Sequence, residues 1–205
     1  MKSGLTVTTD NADSVLAALK KLSGMDVLVG IPEGNAARED GAPFNNAELG
    51  YLHSTGATIL IPEHTTTIYR QVDANGDLKN GGRFVKAKKS NIATTHTVKA
   101  QVVTLPPRPF LDIGIEDTRE RTTEHLKASA GLALEGNTAG AQKELERAGI
   151  IASDGAKKVI SDGDRLQSLS DKTLQARRAQ GLPGDKPLYA HGYLLRSITY
   201  VVRSK

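Results

Sequence analysis

Five histidines, at 53, 64, 96, 125 and 191, and the acids Asp112, Glu116, Asp117, Glu120 and Glu124 are the groups in this 205-residue chain best suited to acid–base or metal chemistry. Such chemistry needs ligands that converge, which within one helix means a spacing of three or four residues. The histidines are too far apart for that, and are read as packing or surface residues. The acids do recur at helical spacing. They stand near the start of a long helical stretch with Arg119 and Arg121 among them, where the helix dipole and local ion pairs account for them. Asp73-Ala74-Asn75-Gly76-Asp77 has the alternating oxygens that open a calcium loop. Leu78 replaces the glycine such a loop needs and Phe84 replaces its bidentate acid, so a turn is expected instead. The patterns GxSxG, SxxK, HExxH and GxxxxGK[ST] are missing, and so is cysteine. The expectation is a non-enzyme with no catalytic residue, metal ligand or cofactor site.

A binding chemistry is easier to find. Arg70, Arg83, Lys86, Lys88, Lys89 and Lys99 form the strongest basic cluster, with Tyr69 and Phe84 between them. Two aromatics are thin support for a base-stacking platform, so the cluster is read as an arm that meets a partner protein or passing DNA phosphates. The formal charge of +4 is unevenly laid out. Residues 1–69 and 109–164 are each net acidic, and 70–108 and 165–205 each net basic. Opposed blocks of this kind steer subunits together and fix their register, although each is also compatible with plain solvated surface.

The elements that must carry these groups follow from periodicity. LTVTT (5–9) alternates as a strand does, and Asp10 or Asn11 caps a helix whose inward residues are Val15, Leu16, Leu19 and Leu22. MDVLVGI (25–31) reads as a buried strand. Residues 33–45 read as a surface loop, and a second helix follows Asn45 or Asn46, with Ala47, Leu49 and Leu52 partly inward and Gly56 at its end. After an apolar strand at 58–61, residues 63–105 read as an inserted β-hairpin-like arm turning at Asn75-Gly76 and Gly81-Gly82. The three prolines of PPRPFL (106–111) make a stiff corner. Two helices are predicted at about 111–136 and 138–161, the second weakened by Gly140, Gly149 and Gly155. A short helix in DKTLQARRAQG and a terminal strand ITYVV complete the chain. The predicted fold is one α+β domain, 1–205, with a small mixed or antiparallel sheet, helices on one side, and the arm. With a hydrophobic share of 38%, an aromatic share of 4% and no tryptophan, the core is modest, so stability from oligomerisation is expected. Neither a leader nor an apolar membrane span is evident, which predicts a soluble protein.

Taken in order, VGIPE (29–33), AELGYLHSTGATILIP (47–62), LPPRPFL (105–111) and KPLYAHGYLLRSITYVV (186–202) resemble the landmarks of phage neck and head-tail connector (tail-completion, virion morphogenesis) proteins. The resemblance implies an α+β structural virion protein in the neck, between head and tail, assembled in the host cytoplasm. It would form a ring, six-fold in preference to twelve-fold, around the DNA path. Partners would be copies of itself, other neck, portal-adaptor and tail proteins, and genomic DNA in transient contact, with no membrane. It also implies folding and assembly roles for Gly50, Gly56, Pro106, Pro107, Arg108, Pro109, Phe110, Leu194, Ser197, Ile198 and Tyr200. The other reading is a nucleic-acid-binding module built on the basic arm.

Overall fold

A computed structural model describes residues 12–38, 44–182 and 184–204. The chain divides into two compact units, a body (1–56 with 106–205) and an excursion, 57–105. The expected LTVTT strand and its following cap lie outside the described residues.

The body is α+β. Its centre is a pair of long helices, α4 (Phe110–Leu134) and α5 (Thr138–Asp162), joined by a tight turn in which Asn137 accepts a hydrogen bond from the Gly140 amide at 2.9 Å. At the end near this turn, the wholly buried Ser129 hydroxyl donates to the Ala141 carbonyl at 2.9 Å. At the other end the backbones themselves touch. A Cβ added at Gly114 would lie 2.3 Å from the Ala156 nitrogen, and one at Gly155 would lie 2.5 Å from the Gly114 carbonyl oxygen. Gly149 is equally constrained, with the Tyr200 ring 2.3 Å from where its Cβ would stand. The helix glycines at 149 and 155 therefore cost helix propensity but permit contacts that no larger residue allows. Of the apolar face that periodicity predicts for α5, Leu145, Ala148, Ala152, Val159 and Ile160 are buried and Ile151 is half-buried.

Two antiparallel strands, β1 (Met25–Gly30) and β6 (Thr199–Ser204), pair from Met25 opposite Ser204 to Gly30 opposite Thr199 and pack on α5. Alternation puts Val27, Val29, Tyr200 and Val202 on the face toward that helix. Leu28 and Val201, directly opposite each other, are exposed. The apolar run MDVLVGI is thus covered on one face, where a fully buried strand was expected, because the described sheet has two strands and helices on one side. Helix α1 (Ala12–Ser23) packs on α4 through half-buried Val15, Ala18 and Leu22. Leu16 and Leu19, expected inward, are exposed. A single neighbouring helix covers a stripe too narrow to include them.

Residues Glu33–Ala36 form the short helix α2 within the expected loop. Helix α3 (Asn46–Thr55) opens with a capping box: Asn45 Oδ1 accepts from the Glu48 amide and Glu48 Oε2 from the Asn45 amide, both at 2.9 Å. After α6 (Asp171–Ala179) and α7 (Tyr193–Ser197) the chain enters β6. Phe110, Ala156, Val159, Ile160, Leu166, Leu194 and Ile198 make one buried cluster.

The excursion is an antiparallel ribbon. Strand β2 (Ala57–Ile61) pairs with β5 (Gln101–Leu105), and β3 (His64–Arg70) with β4 (Ile92–Val98). His64 lies three positions beyond Ile61 and its partner Val98 three before Gln101, so both ladders share one register with no residue inserted. Fourteen positions per strand, 57–70 against 92–105, give a contour of about 48 Å. The ribbon begins at Ala57, so the apolar strand at 58–61 belongs to it, six residues before the arm's expected start at 63. Threonines supply its outer half: Thr65 faces Thr97 and Thr67 faces Thr95, β-branched pairs that favour extended backbone without requiring burial.

Candidate functional site

At the ribbon's end, residues 71–91 form an ordered tip. Asn91 closes it with both halves of its side-chain amide: Val72 N–H donates to Oδ1 and Nδ2 donates to the Val72 carbonyl, each at 2.8 Å. Asn91's own amide donates to the Arg70 carbonyl, and Val85 N–H donates to the Tyr69 carbonyl. Asp73 turns the chain through its carboxylate, which accepts from the Asn75 and Asp77 amides at 2.9 Å. The would-be calcium loop is therefore an Asx-type turn, as its sequence indicates. Among the described residues no group of three or more His, Asp or Glu side chains could hold a metal ion.

The tip gathers Lys79, Arg83, Lys86, Lys88 and Lys89 against Asp73 and Asp77. Arg83, Lys86, Lys88 and Lys89 are exposed. Arg70 is half-buried and stacks on Phe84, 5.2 Å from the ring centroid, so its guanidinium is engaged within the ribbon. Lys99 stands on the far side of β4 from the tip, about 24 Å of strand away. Of the six-residue cluster, Lys99 is thus set apart from the other five, and Lys79 joins those at the tip because pairing brings 71–91 to one end. Seven cationic against three acidic side chains in 57–105 account for the whole formal charge of +4, and leave the body with equal numbers of each.

Apolar side chains of the inner half complete this surface. Ile59, Ile61, Val103 and Leu105 lie on one face of the β2–β5 ladder. Leu60 and Val102, opposite each other on the other face, are 68% and 64% exposed, and Phe84 at the tip is 68% exposed. A two-stranded ribbon cannot cover apolar groups on both of its faces.

The PPRPFL corner, expected to serve folding and assembly, lies largely within the body. Phe110 is wholly buried at the centre of the body's core, and Arg108 is 6% exposed. Of the corner residues 106–110, Pro107 alone is exposed. Three prolines withhold amide donors, and the Arg108 amide donates to the His53 carbonyl at 2.7 Å, tying the corner to α3. Leu194, Ser197 and Ile198 are likewise buried, and Gly50 lies where a Cβ would approach Ile31 Cδ1 to 3.0 Å. These residues shape the fold.

Sequence reasoning missed a pocket in the body. Arg108, Arg177, His53, His191 and Asn46 line a cavity of about 270 Å³ with leucine walls, between α3, the corner, α6 and α7. Arg108 Nε donates to the Gln167 carbonyl at 2.6 Å and Nη2 to the Ser168 carbonyl at 3.1 Å. Burial, and then the nearby Arg177 charge, hold its pKa below the ordinary value. Burial and the Arg108 charge likewise lower that of His53, which keeps the imidazole neutral at neutral pH.

No protein-family model, curated protein or solved structure matches the chain. Among the described residues no helix is long and apolar enough to cross a membrane. The histidine readings came from spacing alone, whereas the fold brings His53 and His191 to one cavity and bonds His125 Nδ1 to Glu144 Oε2 at 2.6 Å. The signal that could have found the pocket is Arg108 inside an apolar, proline-rich corner, where a cation needs partners.

Proposed function

We propose that this chain is a structural protein that assembles with copies of itself and with neighbouring proteins, as a head-tail connector (neck or tail-completion protein) of a tailed bacteriophage virion. The ribbon carries the reading: about 48 Å of two-stranded β-structure with apolar side chains on both faces of its inner half and a cationic tip. In water such a ribbon is marginal by itself, and a neighbour that covers it supplies the missing burial. Covering Leu60 and Val102, two-thirds exposed, contributes about 1–2 kcal/mol each. The charge segregation adds register where the cationic ribbon meets the net-acidic stretch 109–164 of the next subunit. A ring follows when that head-to-tail contact closes. Six-fold closure and the neck location rest on the sequence resemblance alone.

Two variants test this. Because Ala57 and Leu105 stand opposite each other, residues 58–104 can be replaced by an Asn-Gly turn. The body's core cluster contains no residue from the ribbon, so this variant is expected to fold. The milder variant is Leu60→Ser with Val102→Ser. Both are expected to leave a folded body by circular dichroism and to abolish rings in sedimentation and negative-stain images, where the unaltered chain forms them. An unaltered chain that stays monomeric at high concentration, or variants that assemble normally, would reject the ribbon's role.

The cationic tip favours a second reading, a nucleic-acid-binding module. Its mark is DNA affinity falling with salt at a log–log slope of about −0.9 per phosphate contacted. Charge reversal at Lys86, Lys88 and Lys89 would abolish DNA binding under this reading, while ring formation through Leu60 and Val102 persists.

A further inference from the structure

The pocket between α3, the PPRPFL corner, α6 and α7 has a donor and acceptor set that the fold leaves incomplete. Arg108 is almost wholly buried, two of its N–H groups are taken by the Gln167 and Ser168 carbonyls, and two further cations line the cavity with it: Arg177, whose Nη1 donates to the Lys186 and Tyr189 carbonyls, and Arg38. No acidic side chain is among the described residues that line the cavity. The Arg177 charge disfavours the buried Arg108 cation, and with no acidic side chain among the described lining residues a bound carboxylate relieves that repulsion with fork-matched hydrogen bonds. Acceptors are left over as well. Asn46, 4% exposed, donates Nδ2 to the Ala37 carbonyl, which fixes the amide's orientation and leaves Oδ1 without a partner; His53 Nδ1 is also buried and unpartnered. An inorganic anion that carries no proton at neutral pH, such as sulfate, fills the cationic half of this set and not the Asn46 oxygen. A peptide group bearing a carboxylate fills both, since it brings an N–H donor beside its anionic oxygens. The walls at Leu49 and Leu188 suit the aliphatic part of such a residue. A volume of about 270 Å³ admits one residue, below the roughly 300–1,000 Å³ of pockets for larger ligands.

We propose that this cavity is a receptor for a peptide carboxylate, an acidic side chain or a chain terminus presented by a neighbouring protein. The site stands on the body alone and does not depend on what the ribbon does.

The test uses the full chain and follows the His53 imidazole resonances by NMR, assigned with His53→Gln. The probes are N-acetyl-glutamic acid α-amide (side-chain carboxylate), N-acetyl-leucine (terminal carboxylate), N-acetyl-leucinamide (no carboxylate), acetate and sulfate. Saturable His53 shifts are expected with one of the two peptide carboxylates, which identifies the source, and none with the leucinamide. Acetate and sulfate are expected to bind at least about tenfold more weakly, since they leave Asn46 unsatisfied. Arg177→Gln should weaken the preferred probe about tenfold or more, with the fold checked by circular dichroism; Arg108→Lys keeps the charge, loses the fork, and should weaken it as well. The proposal is overturned by His53 resonances that no probe moves, by sulfate binding as tightly as the peptide carboxylates, or by binding that requires Glu39→Gln with Asp40→Asn, which would make the chain's own acids the occupants.

Discussion

Alanine at Gly114 and alanine at Gly131 should change stability in opposite directions, although both positions lie in α4 and the substitution is the same. By helix propensity alone each replacement gains up to about 1 kcal/mol. At Gly131 nothing lies within 4 Å of the added Cβ, so that gain is kept, and about 0.5–1 kcal/mol of stabilisation is expected. At Gly114 the same atom would lie 2.3 Å from the Ala156 nitrogen and 2.4 Å from its Cα, against a normal separation of about 3.5–4 Å. Both neighbours are backbone of α5, so relief requires the two long helices to part by more than about 1 Å along a contact that Gly155 makes equally close. Overpacking of this kind costs about 1–3 kcal/mol and more where the backbone must move, which exceeds the propensity gain. The net expectation for Gly114→Ala is a loss of about 2 kcal/mol or more, a fall in Tm of roughly 4–8 °C for a chain of this size. For Gly131→Ala a rise of about 1–4 °C follows. Urea denaturation with matched m-values distinguishes a change in stability from a change in the unfolded ensemble. If Gly114→Ala proved neutral or stabilising, the backbone contact between α4 and α5 would be refuted.

Two further outcomes concern charge and local order. The Arg165 guanidinium hydrogen-bonds the half-exposed Asp117 carboxylate, and that bond, ahead of the net Coulombic attraction, holds Asp117 below the usual carboxylate range. A depressed folded-state pKa stabilises above the unfolded value, and the benefit is lost as pH falls through the folded one. Asp117→Asn should therefore flatten the decline in urea midpoint between neutral pH and about pH 3, and an unchanged decline would count against the pair. Asn91→Ala removes both amide bonds to Val72, and hydrogen exchange at Val72 and the surrounding tip amides should quicken at least tenfold. Exchange in α4 and α5 should not change.

Local signals in the sequence carried far. Asn45 with Glu48 marks the start of α3, the spacing of Leu145, Ala148, Ala152, Val159 and Ile160 marks α5, and threonine-rich alternation with Asn75-Gly76 marks the ribbon. These depend on neighbours a few residues away, and so they and the α+β class were legible before any fold was known. Gly149 and Gly155 read as weaknesses in a helix because their partners, Tyr200 and Gly114, are 51 and 41 positions distant. Leu16 and Leu19 read as inward for a related reason: side-chain type reports what can be buried, and which faces find a neighbour is settled by packing. The same distance hid the pocket. Arg108, His53, Asn46 and Arg177 come from three stretches of chain with no common spacing, and only the crossing of α3, the proline corner and α6 gives them one cavity. Sequence thus determined the elements, through short-range backbone and capping chemistry, whereas the surfaces available for binding were decided by tertiary contacts between residues far apart in the chain.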